Sequence, residues 1–101
     1  MRLSTDQVLI LKKSCLKWFG SDIQLWLFGS RTDDFKKGGD IDLYLHTKET
    51  NMNQLVQAKL NFLVEMQLYL GEQKIDLLIS NPQSQSLPIY QEAMNNGIQL
   101  I

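Results

Sequence analysis

Apolar residues follow two distinct patterns along the chain. In three stretches they recur every three or four positions, which is typical of helices with one buried face. In three shorter stretches they run almost without interruption, as in buried strands. Together the patterns predict, in chain order, a helix over Thr5–Phe19, strands over Ile23–Phe28 and Ile41–Leu45, a helix from Thr50 or Asn51 to Leu70, a strand over Lys74–Ser80, and a helix from Pro88 to about Asn96. The tail GIQLI is predicted to form a short extra strand.

Residues at the ends of the predicted helices support these boundaries. Ser4 or Thr5 is placed to cap the first helix, and Gly20 is placed to end it. Gly71 ends the long helix in the same way, and Pro88 suits the first turn of the last one.

The long helix is predicted to bury one face and expose the opposite one. The helical period assigns Met52, Leu55, Val56, Leu63, Met66 and Leu70 to the buried face, and Asn53, Gln57, Asn61 and Glu65 to the exposed face.

The order of helices and strands predicts the fold class. Helix, strand, strand, helix, strand, helix is expected to give an α/β-type (α+β) fold, a small mixed β-sheet with helices packed on it. The chain has 101 residues, which is near the usual size of one domain with one core. Residues 1–101 are therefore expected to form a single domain.

Composition excludes several classes of function and setting. Ten basic and eleven acidic residues give a net charge of −1, so direct binding to nucleic acid, which needs clustered Lys and Arg, is not expected. The single cysteine leaves no internal disulfide, and the apolar run near the N-terminus is too short for a signal peptide or a membrane span. A cytoplasmic protein without a membrane partner is expected.

Three aspartates open two of the predicted strands. Asp40 and Asp42 flank Ile41, and because side chains two apart on a strand point the same way, both carboxylates face one side. Asp76 opens the third strand and joins them if the two strands are neighbours. Carboxylates this close repel one another unless a cation lies between them, and Mg²⁺ prefers such oxygen ligands. The spacing therefore indicates a metal site, although a polar strand entrance at the surface is the structural alternative.

A Gly-Ser pair follows the first strand. Gly29 lets the backbone approach a ligand closely, and the following N–H groups and the Ser30 hydroxyl are able to donate to phosphate oxygens. Arg31 adds a guanidinium group. Ser30 as a simple helix N-cap and Arg31 as a solvated charge remain open as structural alternatives. A phosphate-binding turn beside an acidic metal site is typical of phosphoryl or nucleotidyl transfer.

The segments LFGSR, GGDIDLYL and KIDLLI together resemble the minimal nucleotidyltransferase domain of the DNA polymerase β-like superfamily, as found in antitoxins of the HEPN/MNT type. The family pattern is Gly-Ser, a spacer, Asp-x-Asp, and a later Asp on a neighbouring strand. The resemblance covers almost the whole chain and implies a polymerase β-like nucleotidyltransferase core.

The resemblance also implies roles for individual residues. It implies that Asp40 and Asp42 bind two divalent metal ions, which are expected to be Mg²⁺. It also implies that Asp76 completes the metal site and helps to deprotonate the acceptor hydroxyl. It further implies that Gly29–Ser30, with Arg31 beside it, holds a nucleotide triphosphate, with ATP as the substrate.

The acceptor is the part of the function that the resemblance constrains least. Superfamily transferases usually carry a further domain for the acceptor, which 101 residues leave no room for, so a partner or a second copy is expected to supply that surface. The resemblance implies a HEPN-domain RNase toxin as the partner, blocked by transfer of AMP to one of its tyrosines. Two alternatives stay open: a non-catalytic module that neutralises a toxin by covering it, and nucleotidyl transfer to a small molecule by a homodimer.

Other residues with reactive side chains are expected to have structural roles. Cys15 falls on the apolar face of the first helix, and His46 ends a strand without a Cys or His near it in sequence, so neither is expected to bind a metal. Tyr90 remains open between a surface position and a modification site.

Overall fold

The helices and strands follow one another in the predicted order. The computed structural model describes residues 3–29, 40–71 and 73–101. Within them lie α1 (Thr5–Phe19), β1 (Ile23–Phe28), β2 (Ile41–Thr47), α2 (Met52–Leu70), β3 (Ile75–Ser80), α3 (Pro88–Asn96) and β4 (Ile98–Gln99). β2 is two residues longer than predicted, because His46 and Thr47 continue the pairing with Gln24 and Ile23. The α+β class predicted from the sequence is confirmed.

Side chains and glycines end the helices as predicted. The Ser4 hydroxyl accepts a hydrogen bond from the Gln7 backbone N–H, and the Gln7 side chain accepts one from the Ser4 N–H. This reciprocal pair satisfies two donors that the first turn of α1 leaves without helical partners. Gly20 and Gly71 end α1 and α2 with φ of +88° and +76°, values that favour glycine. Asn51 caps the start of α2.

The four described strands form one mixed sheet in the order β3-β2-β1-β4. β1 pairs antiparallel with β2 and with β4, whereas β2 and β3 are parallel. A parallel pair requires a long crossover between its strands, and α2 provides it. In the parallel register Asp42 lies opposite Asp76.

Each face of the sheet carries its own apolar layer. One face packs under α1 and α2, where a single core joins residues of these two helices and of the sheet: Leu11, Cys15, Leu25, Leu27, Leu43, Leu45, Phe62, Met66 and Leu77. The other face packs against α3 through Trp26, Tyr44 and Ala93. The Trp26 and Tyr44 rings stack with centroids 5.4 Å apart, and Tyr90 of α3 stacks on Tyr44 at 5.0 Å.

The buried face of α2 differs from the predicted one. Its fully or nearly buried residues are Leu55, Ala58, Phe62 and Met66. Met52 and Val56, which were assigned to the core, are 62% and 52% exposed, so that assignment is wrong. The reason is that α2 carries a second apolar row, and the helical period alone does not show which row meets the sheet.

Glu65 was predicted on the exposed face of α2, and this too is wrong. Its carboxylate faces α1, where it accepts hydrogen bonds from Trp18 Nε1 at 2.7 Å and from Lys17 Nζ at 3.1 Å. Partial desolvation opposes ionisation of Glu65, but these hydrogen bonds outweigh it and lower the pKa of the carboxyl. A polar contact therefore joins α1 to α2 beside the apolar core.

Within the described ranges, no helix is both long enough and apolar enough to cross a membrane.

Truncation of Phe62 tests the packing of α2 on the sheet. Phe62 is fully buried, so Phe62→Ala should lower the free energy of unfolding by about 3–5 kcal/mol through lost burial and the cavity that remains. Its neighbour Asn61 is exposed, and Asn61→Ala should change the stability by no more than about 0.5 kcal/mol. Urea denaturation of both variants measures the difference. Equal effects would contradict the assignment of the buried face.

Candidate functional site

Three neighbouring strands bring one residue each into a single row across the sheet. Phe28 of β1 lies opposite Asp42 of β2, which lies opposite Asp76 of β3. The row is two residues along from Trp26 and Tyr44, so it shares their face of the sheet, the one covered by α3. The expected convergence of Asp42 and Asp76 is therefore present.

The carboxyl groups of Asp42 and Asp76 are in hydrogen-bond contact. Two carboxyl oxygens make such a bond only when one group is protonated. Burial raises the pKa of Asp42, and the negative charges of Asp76 and Asp40 raise it further, while the Lys74 ammonium acts in the opposite direction. Without a cation, the chain thus holds Asp42 in an environment that disfavours its ionised form.

Asp40 lies just before β2, two residues from Asp42, and its side chain is exposed at the surface. Its Oδ2 atom is 3.9 Å from Nζ of Lys74, a long ion pair between two well-exposed side chains. The backbone connects the same two segments, because the Ile41 N–H donates to the Lys74 carbonyl at 2.9 Å. Asp40 is therefore close enough to Asp42 to affect its charge and is held beside the start of β3.

Gly29 brings the end of β1 close to Asp42 and Asp76, which we call the acidic pair. It has a φ of +77°, and a Cβ atom built at this position would overlap Oδ2 of Asp42. Only glycine avoids both the unfavourable backbone region and this collision. The sequence predicts a close backbone approach at Gly29, and the nearest group in the described residues is the Asp42 carboxylate. Ser30 and Arg31 lie outside the described residues.

An open cleft of about 690 Å³ lies over the acidic pair. Asp42 and Asp76 line it together with apolar side chains from the sheet, α2 and α3, namely Phe28, Leu63, Ile75, Leu77, Leu78 and Ile89. Lys59 of α2 lines it as well and is the one cationic residue of that lining.

Lys59 was not among the predicted site residues. The available signal was its position between Leu55 and Leu63, at helical spacings of four residues, which places a cation in a row that faces the protein. A lysine on the inward side of a helix is unusual and marks a candidate for ion pairing or phosphate contact. Because α2 was assigned by its apolar residues alone, this signal was not used.

The acidic group fits a hard divalent cation by its donor chemistry. The described residues contain no cluster of three acidic, histidine or cysteine side chains arranged to hold a metal ion. Two carboxyl groups in direct contact, with a third beside them, are nevertheless the oxygen donors that Mg²⁺ combines with water and substrate phosphate. A cation at this position would offset both causes of the raised pKa of Asp42, its burial and the negative charges of Asp76 and Asp40.

Tyr44, His46 and Ser80, further along β2 and β3 from Asp42 and Asp76, form a separate polar group. The Tyr44 hydroxyl lies 2.6 Å from Ser80 Oγ, and His46 Nδ1 lies 2.8 Å from the same oxygen. Ser80 is buried, and these contacts satisfy its hydroxyl. Tyr90, left open by the sequence, is partly buried through its stacking on Tyr44.

Comparison with known proteins gives one family match. A protein-family model described as nucleotidyltransferase domain matches residues 9–99. A search of curated proteins found no match to the chain. The matched range begins in α1 and ends in β4, so it includes every strand that contributes to the cleft.

Two glycines with similar φ angles provide a matched test of the contact between Gly29 and Asp42. Gly20→Ala should cost roughly 1–2 kcal/mol, because its φ is +88° and the added Cβ meets nothing within 4 Å. Gly29→Ala should cost at least about 1 kcal/mol more, because its Cβ also collides with Asp42. Chemical denaturation measures both. Adding Asp42→Ala to Gly29→Ala should recover the difference, and a failure to recover it would place the strain elsewhere.

The charge environment of Asp42 predicts an effect of pH on stability. A pKa raised by folding means that ionisation of Asp42 costs stability as the pH rises from the unfolded value of about 3.9 through the raised folded value. Asp42→Asn removes this cost and retains a donor for Asp76. The variant should therefore have a higher Tm than the wild type at neutral pH in EDTA, with little difference near pH 3.

The matched control for this measurement is Asp22→Asn. Asp22 is an exposed acid whose contact with Lys48 is 3.5 Å long, so its loss should leave the Tm nearly unchanged at either pH. Addition of Mg²⁺ should raise the Tm of the wild type more than that of Asp42→Asn. An Asp42→Asn variant that is less stable than the wild type at neutral pH in EDTA would contradict the proposed repulsion.

Proposed function

The chain belongs to the nucleotidyltransferase domain family, and on that premise we propose that it is a Mg²⁺-dependent enzyme that transfers AMP from ATP to a protein hydroxyl. Nucleotidyl transfer in general follows from the family. The proposal adds the metal, the nucleotide and the acceptor, which is a tyrosine of a HEPN-domain RNase. Residues 1–101 would then act as one minimal catalytic domain and as an antitoxin in the cytoplasm.

The observation that carries this proposal is the contact between Asp42 and Asp76 under Gly29. Carboxylates gathered in this way are unfavourable for the chain alone and become favourable beside a divalent cation. Asp42 and Asp76 would hold that cation together with Asp40. When bound, it would neutralise phosphate charge and make the acceptor hydroxyl easier to deprotonate.

The triphosphate would be bound on the Gly29 side of the cleft. The Gly29–Ser30 turn is proposed to donate N–H and hydroxyl groups to phosphate oxygens, with the Arg31 guanidinium beside them. Lys59 lines the cleft from the α2 side and is proposed to contact a phosphate oxygen there. Cations on both sides would orient the α-phosphate for attack, which is most of what phosphoryl-group chemistry requires of the protein.

Asp76 is the best-placed general base of the acidic group. Its side chain is exposed at the mouth of the cleft, on the edge strand of the described sheet, whereas Asp42 is partly buried behind it. Among the described residues none would then have to move for an incoming hydroxyl to reach Asp76 from solvent. Asp76 would take the hydroxyl proton as the new bond to the α-phosphate forms and pyrophosphate leaves.

The surroundings of the cleft favour a polypeptide acceptor over a small molecule. A second, largely apolar groove of about 300 Å³ continues from the cleft, since Lys59, Leu77 and Leu78 line both. It runs along β3 past Ile79 and Tyr90. An extended apolar groove leading to the carboxylates suits a chain segment that places its hydroxyl at Asp76.

The main alternative is a non-catalytic module that neutralises a partner by covering it. Such a module would have no use for charge repulsion between Asp42 and Asp76, whose cost a protein surface avoids unless the group has a function. Transfer to a small molecule is a further alternative, in which the apolar groove would have no role.

Asp76→Asn separates the enzyme from the binding module. The amide keeps the shape of the carboxylate but cannot accept the hydroxyl proton, so transfer should fall by roughly 10²–10⁴-fold. The assay is incorporation of label from ATP labelled at the α-phosphate into a HEPN-domain RNase, with RNase activity followed in parallel. Calorimetry should show that the variant still binds the RNase.

Asp22→Asn, an exposed carboxylate away from the cleft, is the matched control and should transfer label as the wild type does. Labelling of the RNase by the wild type and the control, together with its loss in Asp76→Asn, would support the enzyme. Neutralisation of the RNase by Asp76→Asn with no label in any sample would instead support the binding module.

A further inference from the structure

β3 is the outermost strand of the described sheet on the side of the acidic pair. In its parallel pairing with β2, the Ile41 N–H donates to the Lys74 carbonyl. This alternation directs the backbone groups of the even-numbered residues toward β2, namely those of Asp76, Leu78 and Ser80. The N–H and C=O groups of the odd-numbered residues point away from the sheet, where no described strand pairs with them: Ile75, Leu77 and Ile79.

The edge formed by β3 lacks the features that normally keep a sheet edge from pairing. Edge strands are usually very short, are interrupted by a bulge, or carry lysine or proline. β3 has six residues, an unbroken register from Ile75 to Ser80, and one charged residue, Asp76, whose carboxyl group contacts that of Asp42. The opposite edge of the described sheet, β4, is only two residues long. β3 is thus the edge of this sheet that is able to accept a further strand.

The open edge lies along a continuous groove. Three adjoining pockets of about 330, 690 and 300 Å³ follow β3 in chain order, and residues of this strand line each of them. The first ends at Ile75, the second is the cleft over the acidic pair, and the third extends to Asn81. α2 borders all three pockets, and α3 borders the second and third through Ile89 and Tyr90. A segment in this groove would therefore meet apolar side chains on both sides and backbone donors and acceptors between them.

We propose that the acceptor polypeptide binds in this groove as an additional strand, hydrogen-bonded to the backbone of Ile75, Leu77 and Ile79. The inference rests on the proposed transfer to a protein hydroxyl and specifies the conformation in which the protein presents it. Strand addition gives affinity through backbone hydrogen bonds, while pockets beside the strand select alternate side chains. The acceptor hydroxyl then belongs to an extended segment and not to a helix.

The pleat of the added strand determines which of its residues reaches the acidic pair. Asp76 lies on the face of the sheet that α3 covers, and residues of the added strand opposite Asp76 or Leu78 would face the same way. A tyrosine opposite Leu78 would be a diagonal neighbour of Asp76, a separation that aromatic side chains span. The residues before and after this tyrosine would face α2, where Leu55 and Val56 favour apolar side chains.

A second copy of the chain fits this edge less well than a different polypeptide. Two β3 strands would pair antiparallel about a two-fold axis, with odd-numbered residues opposite one another, because these residues carry the outward backbone groups. Such a pairing would turn the α3-covered faces of both copies to the same side. Both acidic pairs would then lie on one face of the joined sheet, where their charges repel. An acceptor segment that brings a neutral hydroxyl avoids this repulsion.

Residue-resolved amide exchange, measured by NMR, tests the proposal first on the chain alone. The odd-numbered amides of β3, those of Ile75, Leu77 and Ile79, should exchange rapidly, whereas the even-numbered amides are protected by their bonds to β2. Protection of the odd-numbered amides in a dilute sample would mean that the chain itself covers the edge. Protection that arises only at high concentration would mean that a second copy covers it. Either result would overturn the proposal.

The same measurement with the RNase of the labelling assay tests strand addition itself. Exchange of the odd-numbered amides should slow by at least about 100-fold when the RNase is added, in the wild type and in Asp76→Asn alike. Because exchange reports binding and the label reports transfer, the two proposals fail separately. An RNase that leaves these amides unprotected, labelled or not, would overturn strand addition. Protection without label would support strand addition and contradict only the proposed transfer.

Proline substitution removes one outward donor and leaves the pairing with β2 intact. Ile79→Pro deletes an N–H that points away from β2, where an edge strand tolerates proline. The RNase should bind this variant about tenfold more weakly than the matched control Ile79→Ala, which also loses the isoleucine side chain but keeps the N–H.

Protection of the even-numbered amides verifies that β3 remains paired in both variants. If Ile79→Pro does not fold, the comparison is made between Ile75→Pro and Ile75→Ala, at the first residue of the strand. Equal affinity of the proline and alanine variants for the RNase would contradict hydrogen bonding of the acceptor to this edge.

Discussion

The parallel pairing of β2 with β3 is the constraint on which the candidate site depends. Asp42 and Asp76 each lie near the start of their strands, so they meet only if the strands run in the same direction. An antiparallel pair would place Ser80, at the other end of β3, near Asp42. Register matters equally, because a slip of one residue would turn Asp76 to the opposite face of the sheet. The crossover helix α2 is what makes the parallel pairing possible.

Asp42 and Asp76 are held in place by the apolar layers on both faces of the sheet and not by their contact with each other. Leu43 and Leu77, next to Asp42 and Asp76 in their strands, point into the core under α1 and α2 and are buried there. Burial of Leu43 and Leu77 fixes the strand positions and thereby holds the two carboxyl groups together. The pKa of Asp42 is raised there, first by its own burial and then by the charges of Asp76 and Asp40. Gly29 completes this arrangement, since any side chain at this position would displace the Asp42 carboxyl group. Functional sites often contain such locally unfavourable arrangements, whose free-energy cost is offset by the stability of the rest of the fold.

Much of this organisation could be predicted from local sequence, and the failures share one cause. Helix ends at Ser4, Gly20 and Gly71 depend on neighbouring residues, which a local pattern contains. The meeting of Asp42 with Asp76 depends on the pairing of β2 with β3, and the sequence predicted it only on the condition that these strands are neighbours. The buried face of α2 and the inward positions of Lys59 and Glu65 depend on which elements pack against that helix. This information is absent from a periodic pattern when a helix has apolar residues on two sides, as the exposed Val56 shows.

The distribution of charge on α2 explains both the ambiguity and the organisation of the molecule. A typical surface helix marks its outer face with charges, but α2 uses both of its charged residues inward, Glu65 against α1 and Lys59 at the cleft. Its outer face is consequently left to amides, Tyr69 and exposed apolar residues such as Leu60 and Leu68. The helix thus connects the parallel strands, closes the core through Phe62, borders the cleft and presents an uncharged surface to solvent. The helical period alone cannot assign the buried and exposed residues of a helix that meets four different environments. Contacts with each neighbouring element decide where its side chains lie.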